Sequence, residues 1–486
     1  MAVLVVGNFM AVLDITIVNV AVPTIQKEFG GGLDDVLWIA TAYTLTLGVV
    51  VPLSGWLGDR FGLVNVYLAS LAAFALGSAL CGLAWNLDTL IAFRILQAVP
   101  GGIMPVVAMT LVYRIVPPQK IGSAMGLFGL GVIFAPATGP VLGGYLVQYL
   151  DWRLVFYINV PVGLLGALAA FMVLPKLPAA IARPFDFLGF GCIAFGLFAI
   201  LLAASEGEDW GWTGYRVLLL AAGGVLALTL FVVIELEVEH PLLDVRMFGI
   251  WPFTNSLILI SIITVNLLAI AFYIPVFLQQ GQGKEAFDAG LLLLPQAVAT
   301  GMLAPISGRL YDKIGPRALS VIGLIVCAFG TYLLAGTTAD LTREHLILWT
   351  CVRGWGLGLA MMPIMTAGIA AVPPSRTNQA SALNNVARQV AGALGLAGLA
   401  ALASIQQAQL MANRAALTTI GHAGVDPAAP GAMTQLYGRY RELSLQVLAT
   451  SYANIFLVVA GITAAGVVLA LGMRPPPRRG GPALPD

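Results

Sequence analysis

The chain has 486 residues, of which 59% are hydrophobic and only 10% charged, against roughly 25% charged in an ordinary soluble domain. So few charges cannot cover a water-soluble protein of this length, and lipid requires backbone polar groups to be satisfied within each segment, so membrane-spanning helices follow. A net charge of +1 gives no support to nucleic-acid binding, and four scattered cysteines without a CxxC pair or clustered histidines suggest neither metal site nor disulfide framework.

About 20 apolar residues suffice for a span. Fourteen such windows are expected, near 3–22, 36–57, 64–84, 88–112, 120–147, 153–174, 186–204, 216–236, 253–277, 288–307, 318–336, 345–370, 379–404 and 447–472. The first begins with almost no flank, so a start further upstream is expected; it lacks the charged region and cleavage site of a removed signal peptide. It carries Asp14 and Asn19. After the second window comes Gly55-Trp-Leu-Gly58-Asp59-Arg60-Phe-Gly62, a charged turn whose glycines permit tight geometry. Asp59 stands just before the next span, where it can cap that helix or complement its positive end. The fourth window holds Arg94 and Gln97. The fifth is rich in glycine, with Gly126, then Gly139-Pro140 and Gly143-Gly144; small residues let helices approach closely, and Pro140 is expected to bend the span.

The turn returns after the tenth window as Gly308-Arg-Leu-Tyr-Asp312-Lys313-Ile-Gly315. Both copies read G-x-L-x-D-[R/K]-x-G, the internal repetition typical of secondary transporters. Two six-span halves joined directly would place the second copy after the eighth window. Two extra spans therefore lie between them, and the expected architecture is an all-α membrane protein of fourteen transmembrane helices arranged six, two, six. The corresponding regions are 1–185, 186–252 and 253–486, the last with a long outer loop near 405–446 that can meet a partner outside the membrane. A weaker echo pairs Arg94 and Gly101–Pro105 with Arg353 and Gly358–Pro363. With both termini cytoplasmic, Arg60, Arg114, Lys120, Lys176, Arg183, Arg246, Arg309, Lys313, Arg317, Arg376 and the C-terminal arginines fall inside. Fewer basic residues, among them Lys27, Arg153, Arg216, Lys284 and Arg343, occupy short outer loops, so the positive-inside rule supports that orientation.

Four ionisable residues lie well inside spans: Asp14, Arg94, Arg353 and Arg388. Such residues are costly in lipid and by default mark an ion or substrate path, the alternative being inter-span salt bridges that only fix packing. A carboxyl suits proton carriage, because burial favours its neutral form while a nearby arginine favours the anion. Arginine stays charged and can only tune or pair with it. Tyr43, Phe272, Tyr273, Met361 and Met362 are candidates to line an adaptable apolar pocket, or equally to pack or face lipid.

On these residues the chain resembles, along essentially its whole length, the fourteen-span drug:proton antiporters of the major facilitator superfamily, the EmrB/QacA group. Gly55–Gly62 is similar to that superfamily's inner-loop motif, departing after Gly62 where Leu63 and Val64 replace basic residues. Leu90-x-x-x-Arg94-x-x-Gln97 resembles the span-4 motif associated with proton coupling, with Ala98 in place of a glycine. Gly126, Gly139-Pro140 and Gly143-Gly144 resemble the span-5 antiporter motif, with Ala135 in place of another. Leu13–Pro23 and Asp151–Gly163 are similar to two group signatures. The resemblance implies a major facilitator fold of two pseudo-symmetric halves, proton-driven export of amphiphilic organic compounds across the cytoplasmic membrane, and no cofactor beyond the proton motive force. It implies proton coupling by Asp14 and Arg94, gating by the two loop motifs, and, in a host with an outer membrane, a periplasmic adaptor. Asn19, Gln97, Tyr273, Arg353, Met361, Met362 and Arg388 are the substrate-cavity candidates. A proton-coupled uptake symporter on the same fold is the alternative; no nucleophile–base pair or phosphate loop points to an enzyme.

Overall fold

Apolar windows bounded by glycine, proline and charged turns become helices because a helix satisfies its own backbone in lipid. The computed structural model describes the chain except residues 31, 176, 178–183, 285, 339–340, 418–431 and 474–486. Lys176, Arg183, most of the 175–184 linker, the tip of the 405–446 loop and the C-terminal arginines lie outside the described residues.

The helices are α1 (Ala2–Phe29), α2 (Leu33–Val50), α3 (Leu53–Phe61), α4 (Leu63–Gly82), α5 (Leu87–Ile115), α6 (Ile121–Tyr149), α7 (Leu154–Tyr157), α8 (Asn159–Val173), α9 (Phe187–Glu206), α10 (Tyr215–Glu237), α11 (Trp251–Val276), α12 (Ala286–Leu291), α13 (Leu294–Ile314), α14 (Pro316–Leu334), α15 (Arg343–Ala370), α16 (Thr377–Leu417) and α17 (Ala432–Leu471); no strand occurs among the described residues. Each expected window is covered by one of these helices or by a consecutive pair. Among the described residues twelve helices are long and apolar enough to cross a membrane, or thirteen when α2 and α3 count as one bent span. The expected fourteen is not reached on that measure, and α13 is the shortfall. Its exposed stripe is apolar (Val298, Met302, Ile306, Leu310), but its other faces carry small and polar residues such as Thr300, Gly301, Ser307 and Gly308, packed against α6 and α15. Average hydropathy counts the packed faces, which lipid never meets.

Proline interrupts one helix and is carried within others. α6 runs without interruption through Pro136 and Pro140. The break falls at Pro52, where α2 and α3 meet at 57°, because proline lacks the N–H that would continue the ladder and restricts the residue before it. Beyond Pro275, α11 passes into a wider π turn at Phe277–Gly281.

Helices α1, α2, α4, α5, α6 and α8 pack among themselves, as do α11, α13, α14, α15, α16 and α17. The two groups meet where α6 lies along α13 and where α16 touches α3 and α5. α9 and α10 pack on each other, and α9 reaches both α2 and α16. Glycine makes the closest approach possible: a Cβ on Gly126 would lie 2.6 Å from the carbonyl oxygen of Ala304, so α6 and α13 touch backbone to backbone.

Candidate functional site

Asp14 lies midway along α1 with no solvent exposure, and three donors converge on it. Arg94 of α5 pairs with Oδ2. On Oδ1, Gln97 Nε2 donates at 3.0 Å and Asn159 Nδ2, from the start of α8, at 2.8 Å. Arg94 also donates to Gln97 Oε1 at 2.7 Å, and its guanidinium lies 3.9 Å from the centroid of the Tyr43 ring. Asn159 bonds onward to Ser78 Oγ at 3.2 Å. Gly77 lets α4 reach this layer, for a Cβ there would lie 2.9 Å from Gln97 Cα. The expected pair of Asp14 and Arg94 is thus brought together, with Gln97 holding it rather than lining a separate cavity. Asn159, Ser78 and the stacked Tyr43 complete the network; Tyr43 was expected as a pocket-lining candidate, whereas Ser78 was not singled out and Asn159 stood only within the Asp151–Gly163 signature.

A charged pair buried this way gains little over apolar packing, but removing one partner strands a charge at roughly 3–5 kcal/mol. Chemically, the arrangement holds one carboxyl group between an arginine and two amides, so a proton taken by the carboxyl would release the arginine's grip on it.

A second buried cluster repeats the plan with α11, α15, α14 and α17 in place of α1, α5, α4 and α8. Arg353 donates through Nε to Asn266 Oδ1 and through its NH2 nitrogen to Asn266 O, each at 2.9 Å. Asn266 Nδ2 donates to Thr331 Oγ1 and Thr463 Oγ1, both at 3.0 Å. Thr331 follows Ser78 at the same spacing that separates Asp312 from Asp59, and Asn266 follows Asp14 at that spacing to within one residue. The carboxylate of the first cluster is an amide in the second.

The loop motifs sit at the other end of the interface. Asp312 accepts from the backbone N–H of Gly122 at 2.9 Å and of Ser123 at 3.0 Å, and from Ser123 Oγ at 2.7 Å. It caps the first turn of α6 with a negative charge, as a helix N-terminus favours. Asp59 accepts from Asn378 Nδ2 in the first turn of α16. Each acid therefore meets the start of a distant helix, whereas Asp59 was expected to cap the helix that follows it. Gly62 (φ 85°) and Gly315 (φ 80°) end their helices in the left-handed region, which explains the closing glycine of both copies. Arg60 and Lys313 are exposed, and Gly55, Gly58 and Gly308 are buried. In α6, Gly126 faces Ala304, Gly139 faces Thr16 and Gly143 faces Ile17 of α1, and Gly144 is half-buried. Pro140 meets Gly290 of α12.

The remaining cavity candidates do not form one site. Asn19 is exposed on α1. Tyr273 is buried 5.1 Å from the Tyr452 ring, and Met362 fills the space beside Gly129. Met361 is buried, and Arg388 is half-buried with Nε unpartnered. A groove of about 690 Å³ runs instead between α11, α16 and α17, lined by residues such as Leu257, Ser261, Val265, Gly395 and Ile462 and by none of those candidates. No group of three metal-ligating side chains occurs among the described residues.

The profile of the Major Facilitator Superfamily matches residues 4–396. The chain is 39% identical to an uncharacterized MFS-type transporter, YhcA, of Bacillus subtilis over 81% of its length and 74% of that protein's. It is 33% identical to the multidrug export protein EmrB of Haemophilus influenzae over 80% of its length and 77% of that protein's. Its fold is similar to that of the proton:xylose symporter XylE, with a TM-score of 0.61 at 13% identity, covering 94% of this chain and 93% of that one. The chain belongs to the major facilitator superfamily, in its EmrB/QacA-type group of drug:proton antiporters.

Proposed function

We propose that the protein exports amphiphilic organic compounds across the cytoplasmic membrane in exchange for protons, by alternating access. In this reading the chain spans the bilayer fourteen times as six, two and six helices, with both termini cytoplasmic. Residues 1–185 and 253–486 form the rocking halves, and 186–252 form the inserted pair. Asp14 carries the proton, and Arg94 couples to it. One charge moved through 100 mV contributes about 2.3 kcal/mol, before any pH gradient is added. The observation that carries the proposal is the buried Asp14 held by Arg94, Gln97 and Asn159. Names such as multidrug export protein among its relatives support the direction outward. The glycine- and proline-rich α6 supports antiport over uptake symport.

The inner-loop acids act as latches. Asp312 on α6 and Asp59 on Asn378 of α16 hold the cytoplasmic side shut, and their release opens it. α16 has 41 residues and α17 has 40, about twice the 20 that a bilayer requires. Their surplus stands outside the membrane, where, in a host with an outer membrane, a periplasmic adaptor would dock.

The test is efflux from proteoliposomes under an imposed pH gradient, comparing wild type with Asp14→Asn. The variant is expected to insert and fold, because the Arg353–Asn266 cluster already tolerates an arginine against an amide, and to lose proton-driven efflux by at least about a hundredfold, the lower end of what a removed proton-transfer group costs. Undiminished gradient-driven efflux would sink the proposal. Movement of substrate with the proton, rather than against it, would favour the symporter.

A further inference from the structure

Arg353 is a fully buried charge that the exchange cycle leaves unused. Its guanidinium cannot give up its proton under any ordinary condition. Two of its nitrogens are bound to neutral oxygens of Asn266, and the third, NH1, has no partner although it is buried. Among the described residues no carboxylate lies within ion-pairing distance, the salt bridges there being Arg94–Asp14, Arg153–Glu28 and Arg376–Asp244. Buried charges are paired or hydrogen-bonded because low dielectric penalises them heavily otherwise.

The comparison within the chain says what is missing. In the first cluster the arginine faces Asp14; in the second, Asn266 stands at the matching place on α11 and keeps the shape of the side chain without its charge. Gly330 leaves the same gap for close approach that Gly77 leaves in the first cluster, since a Cβ there would lie 2.6 Å from Arg353 Cα. The site therefore has a cation, a hydroxyl partner in Thr331 and close helix packing, with an amide where the first cluster has its anion.

We infer that the Arg353–Asn266 cluster is an anion site, in which NH1 of Arg353 takes one monovalent anionic group, either free, as chloride, or carried as the carboxylate of an amphiphile. The site neither contains nor touches Asp14, so it stands whether or not Asp14 carries the proton.

The experiment uses the purified full chain in lipid nanodiscs. Melting temperature is measured in sodium chloride, in sodium gluconate (a strongly hydrated, polyhydroxylated anion with no apolar chain, as the reference), and in gluconate with added decanoate or with decyltrimethylammonium as the cationic control. Wild type is expected to melt about 3 °C higher with chloride or with decanoate than in gluconate alone, and to gain nothing from the cation. Arg353→Gln and Asn266→Asp should both lose that rise, the second because it supplies the carboxylate from within, whereas Asp14→Asn should keep it. A rise with chloride alone assigns a free anion, and a rise with decanoate alone assigns a carboxylated amphiphile. If Arg353→Gln fails to fold, the near-isosteric Asn266→Asp decides. An equal melting temperature in all four conditions, or a rise that survives in Asn266→Asp, overturns the inference.

Discussion

At the scale of single residues, the geometry around Asp14 separates charge from shape. Arg94 bonds to Asp14 and Gln97 while stacking on Tyr43, which needs a planar guanidinium. Arg94→Lys keeps the charge but not the fork. It is expected to fold, remain in the membrane and lose at least about tenfold in gradient-driven efflux, the cost of a lost hydrogen bond to a charged group being about 1.5–3 kcal/mol. Wild-type efflux in that variant would show that charge alone suffices. Asn159→Ala removes one donor to the carboxylate and one link to Ser78. Its melting temperature should fall by an amount equivalent to about 1–3 kcal/mol, read by thermal unfolding in nanodiscs. Asp14 and Arg94 were legible in the sequence because ionisable residues stand out in apolar spans. Asn159 was not, because its importance depends on α8 reaching α1 from 145 residues away.

At the scale of helices, the α6–α13 seam brings a glycine-rich stretch backbone to backbone with its neighbour. Gly126 and Gly308 occupy the seam, with backbone of the opposite helix closer than any real Cβ would tolerate. Gly126→Leu is expected to force the helices apart at an overpacking cost of about 1–3 kcal/mol. That favours the form open to the cytoplasm, and cysteine labelling at the inner face should speed up accordingly. Unchanged labelling would show that the seam is no part of gating. Asp312→Ala strips the start of α6 of its cap, a loss of about 0.5–2 kcal/mol, and should act in the same direction. The repeated motif announced a paired feature, and its closing glycines fit the left-handed turns found. Which helices the two aspartates meet was not legible, since α6 and α16 are far from them in sequence.

At the scale of the whole molecule, the proposed exchange requires the two halves to separate at one face while staying joined at the other. Ser123 Oγ and Asp312 Oδ2 lie 2.7 Å apart across the seam, so cysteines at these two positions test whether tying the seam stops transport. The Ser123→Cys, Asp312→Cys double variant is expected to lose efflux on oxidation and regain its reduced-state rate when reductant is added. Equal rates before and after reduction would mean that the inner face need not open during transport. α9 and α10 fit the same picture. α9 touches both α2 and α16, so α9, with α10 packed on it, lies against both groups of helices without joining either polar cluster.

The sequence by itself determined that the chain is helical and spans a membrane, that it carries a repeated turn, and that a carboxyl and an arginine lie within its apolar spans. Composition and spacing fix such properties locally, because lipid forces each apolar segment to satisfy its own backbone. Only the tertiary structure decided that Asp14 has three donors, that Asp312 caps α6, and that Arg353 faces an amide where its twin faces a carboxylate. Those depend on which helices pack side by side. Packing is set by the shape of whole faces, glycine gaps included, and no short window of residues contains that information.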